Sequence, residues 1–151
     1  MKPKSQEKSL YLRIYPDSVL RQVCDPVETF DSWLDGVLEQ MFVLMDTHNG
    51  IGLAGPQVGI PHRFFIAKIH RRAISLMNPV ITSRIGFAGM TEGCLSLPNT
   101  VVYIDRNVWI DVTGYDFQGN KQTYQLHGLW ARVVQHEIDH LNGVVISDYH
   151  H

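Results

Sequence analysis

The sequence predicts an α+β fold, with mostly antiparallel sheets packed around a C-terminal helix and a second helix towards the N-terminus. Two segments that bracket the chain carry apolar side chains at helical spacing. The stretch between them is a series of strand-like runs. Asp116-Phe117-Gln118-Gly119-Asn120 joins the last two runs as a hairpin loop. The 151 residues suit a single domain, 1–151, with one core.

Residues 31–48 place Trp33, Leu34, Val37, Leu38, Met41, Phe42, Leu44 and Met45 on a helical stripe suited to packing on a sheet. Thr29, Asp31 or Ser32 is the candidate cap, and Asn49-Gly50 is the stop. Residues 50–61, GIGLAGPQVGIP, hold four glycines and two prolines. They read as a shaped loop or an interrupted strand where backbone approaches something closely. The segment lacks the GK[ST] of a phosphate loop and the βαβ setting of a dinucleotide fingerprint. Strands are expected over 64–69, 74–81, 101–104, 107–115 and 121–127. The final helix spans about 128–142, with apolar Leu129, Trp130, Val133, Val134, Ile138 and Leu141, and Asn142-Gly143 ends it.

Composition narrows the function. Apolar residues make up 44% and charged residues 19%, an ordinary soluble balance. A net charge of −2, from 13 basic and 15 acidic side chains, gives no case for nucleic acid or an anionic membrane. No apolar run approaches the roughly 18 residues that span a bilayer. The leading residues, MKPKSQEKSLYLRIYP, lack the apolar stretch of a secretory signal, so a cytoplasmic location is expected. Two cysteines make no disulfide framework, and Cys24 reads as a small buried hydrophobe. A monomer is the default for this size.

The chemistry concentrates in His136-Glu137-Ile138-Asp139-His140. On a helix, positions i and i+4 share a face, so His136 and His140 can direct ring nitrogens at one metal ion. Glu137 lies beside that face and can reach a water on the metal. A catalytic site needs a third protein ligand and an open position. Only Asp148, His150 and His151 offer donors after His140, all near the terminus, so the third ligand is expected upstream. Cys94, in EGCLSLP, is the best candidate, since a metal-bound thiol is deprotonated outright.

Three segments, GIGLAGPQ (50–57), EGCLS (92–96) and QHEIDHLNG (135–143), resemble the three signature motifs of peptide deformylases, in the family's order. The resemblance runs from about Leu10 to Tyr149. It implies one divalent metal held by Cys94, His136 and His140, iron(II) in the cell, with zinc, nickel or cobalt in its place after purification. It implies Glu137 as general base and acid, and Gln57 and the Leu95 backbone N–H as donors to the oxyanion. The substrate would be the N-formyl-methionyl end of a nascent polypeptide, with formate released. Gly50, Ile51, Gly52, Glu92, Gly93, Leu129 and Val133 would contact it, the segment at Gly50–Gly52 by strand-like pairing. Ile51, Leu129 and Val133 would line the methionine pocket. Arg106 would pair with Glu92 to buttress the cysteine loop. Actinonin-like hydroxamates would bind the same site.

The chain departs from the family pattern in places. Gly55 stands where alanine is usual, which removes a methyl and loosens the loop. Val101 stands where an arginine often lies near the substrate. Arg132 stands where an apolar pocket residue is common, and is expected to narrow the pocket or offer a polar contact. The sequence ends without the long C-terminal helix that serves ribosome association in many bacterial members. It is therefore similar to short forms encoded by some bacteriophages, which leaves a bacterial or a phage origin open. Any contact with the ribosome exit region would lack that tail, and His150-His151 reads as native or as a vector remnant. A small HExxH metallopeptidase and a non-catalytic zinc-bound peptide-binding module are the alternative functions.

Overall fold

The computed structural model describes residues 9–149, so the readings placed on residues 1–8, His150 and His151 lie outside it. Of the candidate caps it is Asp31 that acts, its side chain accepting from the backbone N–H groups of Trp33 at 3.1 Å and Leu34. That opens α1 (Ser32–Thr47), and Asn49, at φ 58°, turns the chain out of it. β1 (Gly52–Ala54) and a 3₁₀ turn (Gly55–Val58) follow at once. Then come β2 (Phe64–Ile69), β3 (Arg72–Ile85), β4 (Ala88–Cys94), β5 (Leu97–Arg106), β6 (Trp109–Tyr115) and β7 (Lys121–His127). The chain closes with α2 (Gly128–Leu141) and a 3₁₀ turn at Ile146–Asp148.

β1-β2-β3-β6-β7 form one sheet, antiparallel throughout, and β4-β5 form a separate hairpin. The α+β expectation therefore holds. β2 and β7 have the expected limits, whereas β3 and β5 run further at both ends. β4 is a strand the sequence does not announce. Its one buried residue is Glu92, so no apolar alternation marks it.

β2 explains why two helices can share one sheet. Phe64 and Ile66 pack towards α1, with Leu34, Leu38, Met41 and Met45. Phe65 and Ala67 pack towards α2, with Ala131, Val133, Val134 and Leu141. A strand covered on both faces has no polar side, which is why Phe64-Phe65-Ile66-Ala67 reads as an unbroken apolar run. Each of the Phe64, Phe65 and Ile66 side chains, fully buried, contributes roughly 1.5–3 kcal/mol. Cys24 lies in the α2 layer as a buried thiol, as its composition reading expects. A third cluster, Val19, Leu20, Leu97, Ile104, Val145 and Ile146, supports the β4-β5 hairpin from below. Among the described residues no helix is long and apolar enough to cross a membrane.

Candidate active site

The register of β4 on β5 shifts between Gly93 and Cys94, and Cys94 then pairs with Leu97. The two residues between them, Leu95 and Ser96, form the turn, so Cys94 stands at the tip of the hairpin. α2 supplies the other donors. His136 and His140 lie one turn apart with ring centroids 5.1 Å from each other. Cys94 Sγ is 3.4 Å from His140 Nε2, and one donor atom from each of the three residues lies within 4.8 Å of the others. A soft sulfur and two imidazoles at this separation suit zinc, iron(II), cobalt or nickel. Three donors leave room for a non-protein ligand, whereas structural zinc is enclosed by four.

Around the donors sits a buried ionic network. Glu92 Oε1 accepts from Arg106 Nη2 at 2.9 Å and pairs with His136 Nδ1 at 2.9 Å. Glu92 Oε2 accepts from Arg106 Nε and from Arg132 Nη1, each at 2.6 Å. Arg106 Nη1 donates to Asp139 Oδ2 at 2.8 Å, and Tyr149 Oη donates to the same oxygen at 2.6 Å. Burial alone would raise the Glu92 carboxyl, yet its bonds from His136 and Arg106 hold it down at about 2. Burial disfavours charge on His136, but its contacts with Cys94 and Glu92 outweigh that and hold it up at about 10. The bond to Glu92 keeps the proton on Nδ1 and turns Nε2 towards Cys94. His140 is pushed well below the usual imidazole range by burial and then by the charge on His136. A metal ligand must be neutral, so His140 is ready as it stands, whereas a divalent ion would have to displace the proton from His136 Nε2.

Glu137 is buried beside these donors and lines the cleft, and its Oε1 has no hydrogen-bond partner among the described residues. Burial holds its carboxyl up at about 7. A divalent ion on the three donors would pull it back down, as a nearby cation does for any carboxyl. The unpartnered oxygen and the donor chemistry together fit a metal site with a base beside it. Gly52 makes the fit possible, since a Cβ there would collide with Glu137 Oε2.

Gln57 is 1% exposed. Its Oε1 accepts from the Ala54 N–H at 2.9 Å, which fixes the sense of the amide. Nε2 therefore faces the site, 3.1 Å from Ser96 Oγ and 3.7 Å from Cys94 Sγ. A segment ahead of α1 fastens both partners: Arg13 N donates to Gln57 O at 2.7 Å and Tyr15 N to Ser96 O at 2.8 Å.

A cleft of about 470 Å³ collects Gly50, Ile51, Gly52, Gln57, Glu92, Gly93, Cys94, Leu95, Leu129, Val133, His136 and Glu137, so most of the expected site residues share one wall. His140 lies behind it, buried at 1% exposure. Ile51 and Leu129, at 41% and 42%, are exposed on its rim. Arg106 is buried and reaches the site through Glu92 and Asp139. Glu92 lines the cleft, but its carboxylate bonds Arg106, Arg132 and His136, which makes it a support for the metal ligand. Gly55 does not loosen its loop: a Cβ there would meet Ile60 O and Phe64 Cε1, each at 2.7 Å, so close packing fills the space of the missing methyl. Val101, 70% exposed, offers an apolar rim. Sequence reasoning missed Ser96, Asp139 and Tyr149. The first two stand inside quoted motifs, a signal that could have drawn attention to them, whereas nothing local marks Tyr149.

A family model described as polypeptide deformylase matches residues 10–151. A curated peptide deformylase of Thermotoga maritima is 41% identical over 138 residues, 91% of this chain and 84% of its own length. A crystal structure of peptide deformylase from that organism aligns with a TM-score of 0.91 at 39% identity, covering 93% of this chain and 97% of the other. A probable peptide deformylase from Synechococcus phage S-SSM7 aligns at 0.90 and 38% identity, covering 94% and 100%. The Synechococcus elongatus enzyme in complex with actinonin aligns at 0.89 and 37%, covering 93% and 79%.

Proposed function

The chain belongs to the peptide deformylase family, and from that premise we propose how its residues remove the formyl group from the terminal methionine of a nascent polypeptide and release formate. The observation that carries the reading is the placing of the unpartnered Glu137 Oε1 beside the Cys94, His136 and His140 donors. Those three residues would hold one divalent ion. When bound, the ion acidifies a water and polarises the formyl oxygen.

Glu137 takes the proton from the attacking water and later delivers it to the leaving amine nitrogen. Water adds to the formyl carbon, the C–N bond breaks, and formate and a free amine result. Gln57 Nε2 donates to the oxygen that gains charge, with its amide already oriented by Ala54 and Ser96. The Leu95 N–H, on the turn next to Cys94, is the second donor. Such preorganised donors contribute roughly 3–4 kcal/mol each to the transition state. The peptide lies extended beside Gly50 and Ile51 and the start of the edge strand β1 at Gly52, and pairs with this segment through backbone. Gly93 flanks its path, and Ile51, Leu129 and Val133 receive the methionine side chain.

In this reading the resident ion is iron(II), which zinc, nickel or cobalt replaces in purified protein. A hydroxamate of the actinonin class fills the same cleft. The enzyme works as a cytoplasmic monomer on chains leaving the ribosome. The test is Glu137→Gln. Its metal content should match the parent, and formate release should fall by roughly 10²–10⁴-fold. A variant with full activity would remove Glu137 from this role.

A further inference from the structure

Among the described residues Arg132 is the one arginine that lines the cleft, an obvious place for a cation that selects peptides. Its contacts point elsewhere. Nη1 donates to Glu92 Oε2 at 2.6 Å and to Ile104 O at 3.0 Å, and Nη2 donates to Ala88 O at 2.7 Å. The side chain is only 10% exposed, so its charge is turned into the protein.

The arrangement closes a loop. Arg132 and His136 are i and i+4 on α2, and they hold opposite oxygens of one carboxylate. Glu92 is thereby registered against the helix that carries both histidines, not only against Arg106 on β5. The two carbonyls that Arg132 binds belong to β4 and β5, the strands of the hairpin that carries Cys94 at its tip. One side chain thus ties the thiol-bearing hairpin to the imidazole-bearing helix. Its partner carboxylate accepts four contacts, which is about the number its lone pairs allow. Arg106, on β5, makes a second tie from Glu92 to α2 through Asp139, but only Arg132, among the described residues, starts from the helix and also grips backbone carbonyls of both strands.

We propose that Arg132 is a positioning residue for the metal centre: it sets the spacing of Cys94 from His136 and His140 through Glu92, and so governs metal affinity and not peptide choice. The proposal rests on the metal-site reading above.

The test measures nickel(II) affinity by chelator competition on the full chain, with kcat and KM on a formyl-methionyl peptide and thermal unfolding of the metal-free protein. The variants are Arg132→Met, Arg132→Lys, Glu92→Gln and the Arg132→Met/Glu92→Gln double. Arg132→Met should bind nickel at least about tenfold more weakly, the size of effect seen when the support of a metal ligand is removed. KM for the loaded enzyme should stay within about twofold. The double variant should bind nickel no more weakly than Glu92→Gln alone, since both changes break one path. Arg132→Lys should recover part of the loss, which keeps the test open if the methionine variant does not fold.

Unchanged nickel affinity with a raised KM would make Arg132 a peptide contact and overturn the proposal. A lowered unfolding temperature with unchanged nickel affinity, or additive losses in the double variant, would overturn it equally. If the parent chain binds no nickel, the metal-site reading fails before Arg132 is tested.

Discussion

At the scale of single residues, the site depends on groups whose freedom has been removed. Gln57 has its amide pinned by Ala54 N and Ser96 Oγ, so Nε2 needs no reorientation when charge develops. Gln57→Leu should therefore lower kcat by roughly 10²–10³ with little change in KM, as steady-state kinetics on a formyl-methionyl peptide would read out. A proportionate rise in KM alone would assign it to ground-state binding. Cys24 is the contrasting thiol, buried in the core and pushed up to about 11 by that burial. Near neutral pH it should resist alkylation in the folded protein and react only on unfolding, which mass spectrometry of labelled peptides would detect. The motif residues Cys94, His136, Glu137 and His140 were legible because their chemistry depends on residue type and short spacing. Ser96 and Asp139 were not, because their roles depend on Gln57 and on Arg106, which distant elements bring to them.

At the scale of elements, legibility followed the apolar pattern. α1, β2, β7 and α2 show their burial in the sequence, and the structure returns them within a residue or so. β4 does not, since what it buries is a carboxylate held by two arginines and a histidine. An ion network inside the fold leaves no hydrophobic period to read. The 3₁₀ turn that carries Gln57 adds a sharper case. Restoring the usual residue, Gly55→Ala, should destabilise the protein by roughly 1–3 kcal/mol, because the added methyl meets the Ile60 carbonyl and the Phe64 ring. Denaturant midpoints would decide it, and an unchanged or raised midpoint would mean that the loop gives way easily.

At the scale of the whole molecule, three distant parts of the chain converge on one centre. The segment at Arg13 and Tyr15 fastens Gln57 and Ser96, the β4-β5 hairpin presents Cys94, and α2 presents the histidines. Tyr149 closes the far side by donating to Asp139, which also receives Arg106. Burial, and then the bond to Asp139, raises the Tyr149 phenol to about 12 from an ordinary 10. The neutral phenol is the favoured form in the fold. Its contribution is therefore complete below about pH 10 and is lost as pH rises through about 12. The stability gap between the parent and Tyr149→Phe should stay constant up to pH 10 and narrow above it, a trend that unfolding curves across that range would reveal. The central claim is that one metal, held by Cys94, His136 and His140, serves deformylation at this cleft. Formate release from a formyl-methionyl peptide, measured beside its unformylated twin and with metal analysis of the same sample, tests it most directly. The account predicts one metal ion per chain, formate in proportion to metal, and an untouched twin. Internal cleavage of the twin without formate, or formate release from protein stripped of metal, would contradict it.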